Sequence, residues 1–363
     1  MRLPPTLAVY IGRLFAFWFA AVLCGLAMVV YLLDTIELIR RTQRFEIPMV
    51  VLLKLSAFKV PHLTLELIPF VVLFAGMLSF WRLARSHELT VIRAAGVSVW
   101  QFLLPVIAVA LAIGAVRVAV LDPVAAALYA RYETLEAEQL RGRTSRLAVS
   151  PTGFWLRQAD GAGNSIVHAL RVASREMELY DVIIWNFEGT DRFAGRIDAK
   201  SARLEPGAWV LQGATINRPE RPSRHEDSLR VPTDMTPERI QDAFASPDTI
   251  SFWDLPGFIR TLEAAGFPAQ RHRLHFQRLL ASPLLLAAMV LIAATVSLRP
   301  PRRGGALAMA VTGIAAGFLL FFVSNLVAAL GLSRAIPVDL AAWTPAAVTS
   351  LLGVSLLLHF EDG

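Results

Sequence analysis

Charge and cysteine are what this 363-residue sequence has least of. Only 18% of its residues are charged, against about a quarter in a soluble globular chain, so water alone is a poor solvent for it. The single cysteine, Cys24, excludes an intrachain disulfide framework. Of 35 basic residues three are lysine (Lys54, Lys59 and Lys200), so cationic chemistry falls to arginine. Catalytic patterns are missing too. Gly-Lys never occurs, which removes a phosphate-binding loop of the Walker type, and there is no HExxH, CxxC or GxSxG. The seven histidines are scattered, and His272 and His275 sit among Arg271, Arg273 and Arg278 as a basic collar rather than a metal site. Ordinary glycine and proline usage excludes collagen-like and low-complexity chains. The net charge of +6 fits nucleic-acid binders and basic-looped membrane proteins alike.

Long apolar runs decide between them. A helix needs about 20 predominantly apolar residues to cross a bilayer. Stretches free of Asp, Glu, Lys, Arg and His cover Leu14–Leu33 (20 residues), Ala94–Val116 (23), Leu279–Leu298 (20), Gly304–Ser333 (30) and Leu340–Leu358 (19). A sixth, Leu67–Trp81, has 15 and reaches spanning length only by including Glu66 and His62. The expected fold class is therefore a membrane α-helical protein with six transmembrane helices and an inserted all-β domain. Residues 1–122 form the first membrane half, with spans at about 11–33, 60–82 and 98–121 and a helix at about 84–96. Residues 273–363 form the second half, with spans at about 275–298, 305–330 and 339–359. The first span is too long for a cleavable signal peptide.

Between the halves, residues 123–272 change character. Strand patterns at Gly153–Gln158, Ser165–Val172, Leu179–Glu188, Ser201–Leu204 and Trp209–Asn217 alternate with "PTG", "DGAGN", "EGTD" and "EPGA" turns, which predicts an antiparallel sandwich or jelly roll. Trp155, Trp185 and Trp209 are expected in its core. Asp254–Ala265 reads as an amphipathic return helix stopped by Gly266 and Pro268. Six spans place both termini on one side and the insert on the other. Basic loop residues favour cytoplasmic termini by only eight to six, and Arg40, Arg41 and Arg44 vote against it.

Three features carry functional weight. The loop "RLARSHELTVIRAAGVSVW" predicts a short amphipathic helix ending at Gly96, with Arg85 and Glu88 on one side and Leu89 and Ile92 on the other. Such a helix either lies on the membrane or docks in a groove of a partner. After the first span, "LLDTIELIRRTQRFEIP" clusters Arg40, Arg41 and Arg44 beyond Asp34 and Glu37, which suits phosphate recognition and interfacial anchoring equally. Gly313 and Gly317 form a GxxxG that permits close helix packing. Arg117 lies within a span and is expected to face a helix or a wet cavity.

"YIGR" at the first span, "SHELTVIRAAGVS" in the loop and "RIDAKSARLEPGAWVL" in the insert together resemble the LptF/LptG permeases of lipopolysaccharide export, over essentially the whole chain. "LLDTIELIRR" is closer to the G branch than to the F branch. The resemblance implies a non-enzymatic inner-membrane subunit with cytoplasmic termini and a periplasmic jelly roll. It implies a heterodimer with the LptF paralogue on a cytoplasmic LptB ATPase dimer, which binds ATP and Mg, this chain binding no cofactor or metal itself. Delivery would pass through LptC to the LptA bridge. By the same resemblance Arg85, Glu88, Leu89, Ile92, Arg93 and Gly96 belong to the ATPase-coupling helix, with Glu88 matching its glutamate. Arg40 and Arg41 match lipid-phosphate contacts, Arg44 and Arg131 are further candidates, and Asp34 stands where enterobacterial members carry a lysine. Two alternatives stay open: the F subunit, and an envelope-sensing receptor with a periplasmic β domain. The receptor is disfavoured because no cytoplasmic signalling domain is present.

Overall fold

The computed structural model describes residues 4–43, 47–139, 154–160, 163–173, 178–188, 192–219, 221–233, 246–264, 268–297 and 305–361. The chain divides into two compact units, one of Met1–Tyr132, Pro247–Leu255 and Gln270–Gly363, the other of Glu133–Ser246 and Pro256–Ala269.

The first unit is helical. Its helices are α1 (Pro5–Thr42), α2 (Met49–Glu66), α3 (Ile68–Arg85), α4 (Glu88–Ala94), α5 (Val99–Val116) and α6 (Asp122–Gln139), the last running past the unit's edge. After α7 (Leu255–Ala264) come α8 (Gln270–Ser297), α9 (Gly305–Leu332) and α10 (Val338–Glu361). Among the described residues six helical runs are long and apolar enough to cross a membrane. Phe17, Met28, Leu33, Phe318, Phe322 and Leu351 are all more than half exposed. Hydrocarbon around the helices removes the penalty that such a surface would carry in water.

The core of the bundle is α8. Two-thirds of its apolar window is buried, against none for α1. Small residues make this possible: Ala287, Ala288, Ala293 and Ala294 alternate with Leu286, Met289 and Val290, and α3, α5 and α10 close on it. Several Thr and Ser hydroxyls within the helices return to their own backbone, as Ser79 does to the Ala75 carbonyl at 2.6 Å, whereas Ser56 donates to the Tyr31 carbonyl of α1.

Two helix boundaries differ from the limits of the expected spans. The helix of the second span does not run through Glu66. The chain turns at Leu67, and α3 restarts with Pro69 in its first turn, where a missing N–H costs nothing. The helix of the third span does not stop near residue 121. A π-helical turn at Arg117–Leu121 carries α5 directly into α6.

The second unit holds six antiparallel strands in simple meander order: β1 (Phe154–Asp160), β2 (Gly163–Ala173), β3 (Glu178–Glu188), β4 (Arg192–Glu205), β5 (Ala208–Asn217) and β6 (Arg224–Pro232). A crease crosses it. On β3 burial falls on Leu179, then on Val182 and Ile184; on β4 on Ile197 and Ala199, then on Ala202 and Leu204; on β5 on Trp209 and Leu211, then on Ala214. The alternation changes parity at aligned positions, where Asp181 and Gly213 take positive φ (55° and 62°) and flank Lys200. One extra step per strand turns the apolar side chains of both sheet halves to the same face, where they form one cluster. The expected sandwich is thus a creased single sheet among the described strands. Trp209 is in its core as expected. Trp185 is half-buried on the opposite parity beside His168, and the Trp155 side chain lies outside the described residues.

Candidate functional site

The loop between α3 and α5 is fixed at both ends by backbone conformation. His87 enters α4 in the left-handed region (φ 60°), and Gly96 leaves it at φ 78°, which a residue with a Cβ adopts only under strain. Ser98 then caps α5, its hydroxyl accepting from the Gln101 N–H at 3.3 Å. Leu89 and Ile92 are buried in the bundle core with Leu83, Val99 and Phe102. The apolar side of α4 is therefore anchored on its own chain. What remains outward is Glu88, Thr90, Val91 and Arg93, with Val91 two-thirds exposed. Arg85, expected beside Glu88, stacks over the Trp81 ring at 5.2 Å instead. Glu88 is held by a residue that sequence reading passed over: the Tyr10 hydroxyl donates to its Oε2 at 2.9 Å.

At the far end of α1 one carboxylate organises two arginines. Glu37 accepts from Arg40 Nη2 at 2.6 Å and from Arg41 Nε at 3.0 Å, while both guanidinium groups stay largely exposed. Exposed pairs of this kind are weakened by solvent and salt, so they orient the cations without holding them from a stronger anion. Arg131 is exposed in the middle of α6, and Arg44 lies outside the described residues. Asp34 is buried, and its Oδ1 accepts from Lys59 Nζ on α2 at 2.6 Å; Lys59 also lies 5.5 Å from the Tyr132 ring centroid. The signal for Lys59 was its rarity among so many arginines.

This pair is a stability element. Asp34→Ala leaves the Lys59 ammonium without its counter-ion in a mostly buried place. We expect a loss of about 2–3 kcal/mol, below the 3–5 typical of a fully buried pair because Lys59 keeps some contact with solvent. Asp34→Leu combined with Lys59→Met should recover most of it, read as the thermal midpoint of detergent-solubilised protein.

A third polar group surrounds the π-turn. The turn leaves the Ala119 carbonyl free to accept from Trp253 Nε1 at 3.1 Å. Phe252 stacks on Phe276 of α8 at 5.3 Å, and Asp248 pairs with His275 at 3.4 Å. Arg117 Nε and Asp122 Oδ2 have no hydrogen-bond partner among the described residues. No group of His, Cys, Asp and Glu among them could hold a metal. Gly313 and Gly317 face α3 inside the bundle, against Met77 and against Phe70 and Leu73 respectively, so this GxxxG packs within the chain.

Comparison with known proteins gives the family of the chain. Over 297 residues the chain is 26% identical to the lipopolysaccharide export system permease protein LptG of Escherichia coli K12, covering 80% of this chain and 81% of that one. The LptG protein of Haemophilus influenzae is 24% identical over 289 residues, 76% of this chain and 77% of that one. The profile of the lipopolysaccharide export system permeases LptF/LptG matches residues 9–359, and the chain, a multi-pass membrane protein, belongs to that family.

Proposed function

We propose that this chain is the LptG-type subunit of an inner-membrane ABC transporter that extracts lipopolysaccharide. It pairs with the LptF paralogue and is driven by a separate LptB ATPase dimer, which binds ATP and Mg. The single observation that carries the reading is α4: a short helix anchored by Leu89 and Ile92 and bracketed by His87 and Gly96, with a carboxylate outward. The chain has no nucleotide-binding loop of its own, so such a helix has work only if force reaches it from a partner. The G assignment rests on "LLDTIELIRR" and on the likeness to proteins named LptG.

In this reading the termini and α4 are cytoplasmic and the β unit is periplasmic. That places Arg40 and Arg41 on the far side, where a lipid phosphate explains a cluster that loop-charge statistics disfavour. Closure of the ATPase dimer moves Glu88 and Arg93, the helices collapse the lipid cavity, and the acyl chains leave upward. Each CH2 moved from hydrocarbon to water costs about 0.8 kcal/mol, so a continuous apolar path is required. The apolar face of the creased sheet offers that path toward LptC and the LptA bridge.

A two-armed experiment tests this. Co-expressed with its candidate partners, the chain should retain an ATPase on purification, and its depletion should lower surface lipopolysaccharide. A chain that purifies alone, with surface lipopolysaccharide unchanged, removes the reading. For the arginines, Arg40→Asp with Arg41→Asp should cut photocrosslinking to lipopolysaccharide by about tenfold or more, two phosphate contacts being lost, while ATPase association persists. Equal crosslinking reduces the cluster to an anchor.

A further inference from the structure

The coupling helix is tied to the first span by one bond between side chains 78 residues apart: Tyr10 Oη to Glu88 Oε2, 2.9 Å. Tyr10 lies in the second turn of α1, and Arg40 and Arg41 lie in its last. Between them α1 is one unbroken helix of 38 residues whose only proline is in its first turn, so Tyr10 and Arg40 stand about 45 Å apart on a single rod. The first span is packed at this end, where Ile11, Gly12 and Phe15 are buried, whereas from Ala16 to Leu33 none of its residues is. Motion imposed on α4 therefore reaches α1 at this packed end, where Tyr10 makes the hydrogen bond to Glu88.

We infer that Tyr10 is a positioning residue that fixes the Glu88 carboxylate and passes displacement of α4 into the first span, so that the docking helix and the arginine end of α1 move together. The inference rests on the proposed permease reading. A carboxylate has about four lone-pair sites on two oxygens. Holding Oε2 from the Tyr10 side leaves Oε1 for a cation of the ATPase, so the two contacts coexist. Arg85 does not compete for the carboxylate, because its guanidinium is placed over Trp81. The side chains of Leu89 and Ile92 fix where α4 sits, in an apolar cluster that α1 shares through Ile11 and Phe15, but such contacts are non-directional and do not link the Glu88 carboxylate to α1. Tyr10 supplies that link.

The test is Tyr10→Phe in the full chain, co-expressed with its paralogue and ATPase and reconstituted in lipopolysaccharide-loaded vesicles. The substitution keeps the ring and removes the hydroxyl. The ATPase should still co-purify and the thermal midpoint should hold, while lipopolysaccharide released per ATP hydrolysed falls about fivefold, the worth of one ordinary hydrogen bond. A release ratio equal to wild type overturns the inference. Loss of the ATPase on Tyr10→Phe also overturns it, by making the hydroxyl a docking determinant. If the wild-type assembly itself neither retains an ATPase nor releases lipid, the permease reading fails instead, and the two failures are told apart by that control.

Discussion

Glu88→Lys is expected to abolish recovery of the ATPase with this chain, while the helical bundle itself stays folded. The separation of effects follows from the two sides of α4. Its attachment to the bundle comes from Leu89 and Ile92, which the substitution does not touch, and from the backbone turns at His87 and Gly96. Its outward side presents Glu88 beside Thr90, Val91 and Arg93. Replacing the carboxylate by an ammonium removes the acceptor of the Tyr10 hydroxyl and reverses the charge at this position. In the proposed assembly the carboxylate meets a cation of the ATPase, and like charges at such an interface cost several kcal/mol, which corresponds to a loss of affinity of about 100-fold or more. Co-purification reads the first effect and a thermal melt the second. Retention of the ATPase at wild-type stoichiometry would remove Glu88 from the interface. Val91→Asp, which places a charge on the exposed apolar position of the same face, should weaken association without reaching the same loss.

Gly114→Leu is expected to prevent assembly of the bundle. Here α5 crosses α8 at backbone contact: a Cβ on Gly114 would stand 2.5 Å from Pro283 Cα and 2.8 Å from its Cβ. A flexible side-chain tip could move aside, but this neighbour is the backbone and ring of a proline inside α8. Even Gly114→Ala must separate the two spans, at a cost of about 1–3 kcal/mol, and leucine exceeds what local shifts absorb. Gly25 supplies the control. It lies on the same kind of membrane-crossing helix with no atom within 4 Å of its added Cβ, so Gly25→Ala should be neutral or slightly stabilising. The comparison is made on membrane-inserted yield and thermal midpoint of the three variants.

What could be read in advance depended on whether a signal was local. Six spans were legible because hydrophobicity over 20 residues needs no partner to be seen, and the β insert because alternation and turn residues are local as well. β6 was not, since "RHEDSLRVP" is mostly exposed and shows no apolar alternation. The crease was not either. It arises when Asp181, Lys200 and Gly213 align across three strands, and alignment is a property of register. The same limit applies at the site. Glu88, Arg40 and Arg41 stood out by type and spacing, whereas Tyr10, Lys59 and Trp253 act through partners 78, 25 and 134 positions away. Leu89 and Ile92 show the converse: helical spacing marks an apolar side and leaves unsaid whether the chain itself or a partner covers it.

The proposed conversion of ATP hydrolysis on another subunit into extraction of lipopolysaccharide is open to one decisive measurement: the chain is reconstituted with its paralogue and ATPase in lipopolysaccharide-containing vesicles, and lipid delivered to a soluble periplasmic acceptor is measured. The expected release requires both ATP and this chain and disappears with Glu88→Lys. Release at the same rate with Glu88→Lys, or without this chain, would contradict it.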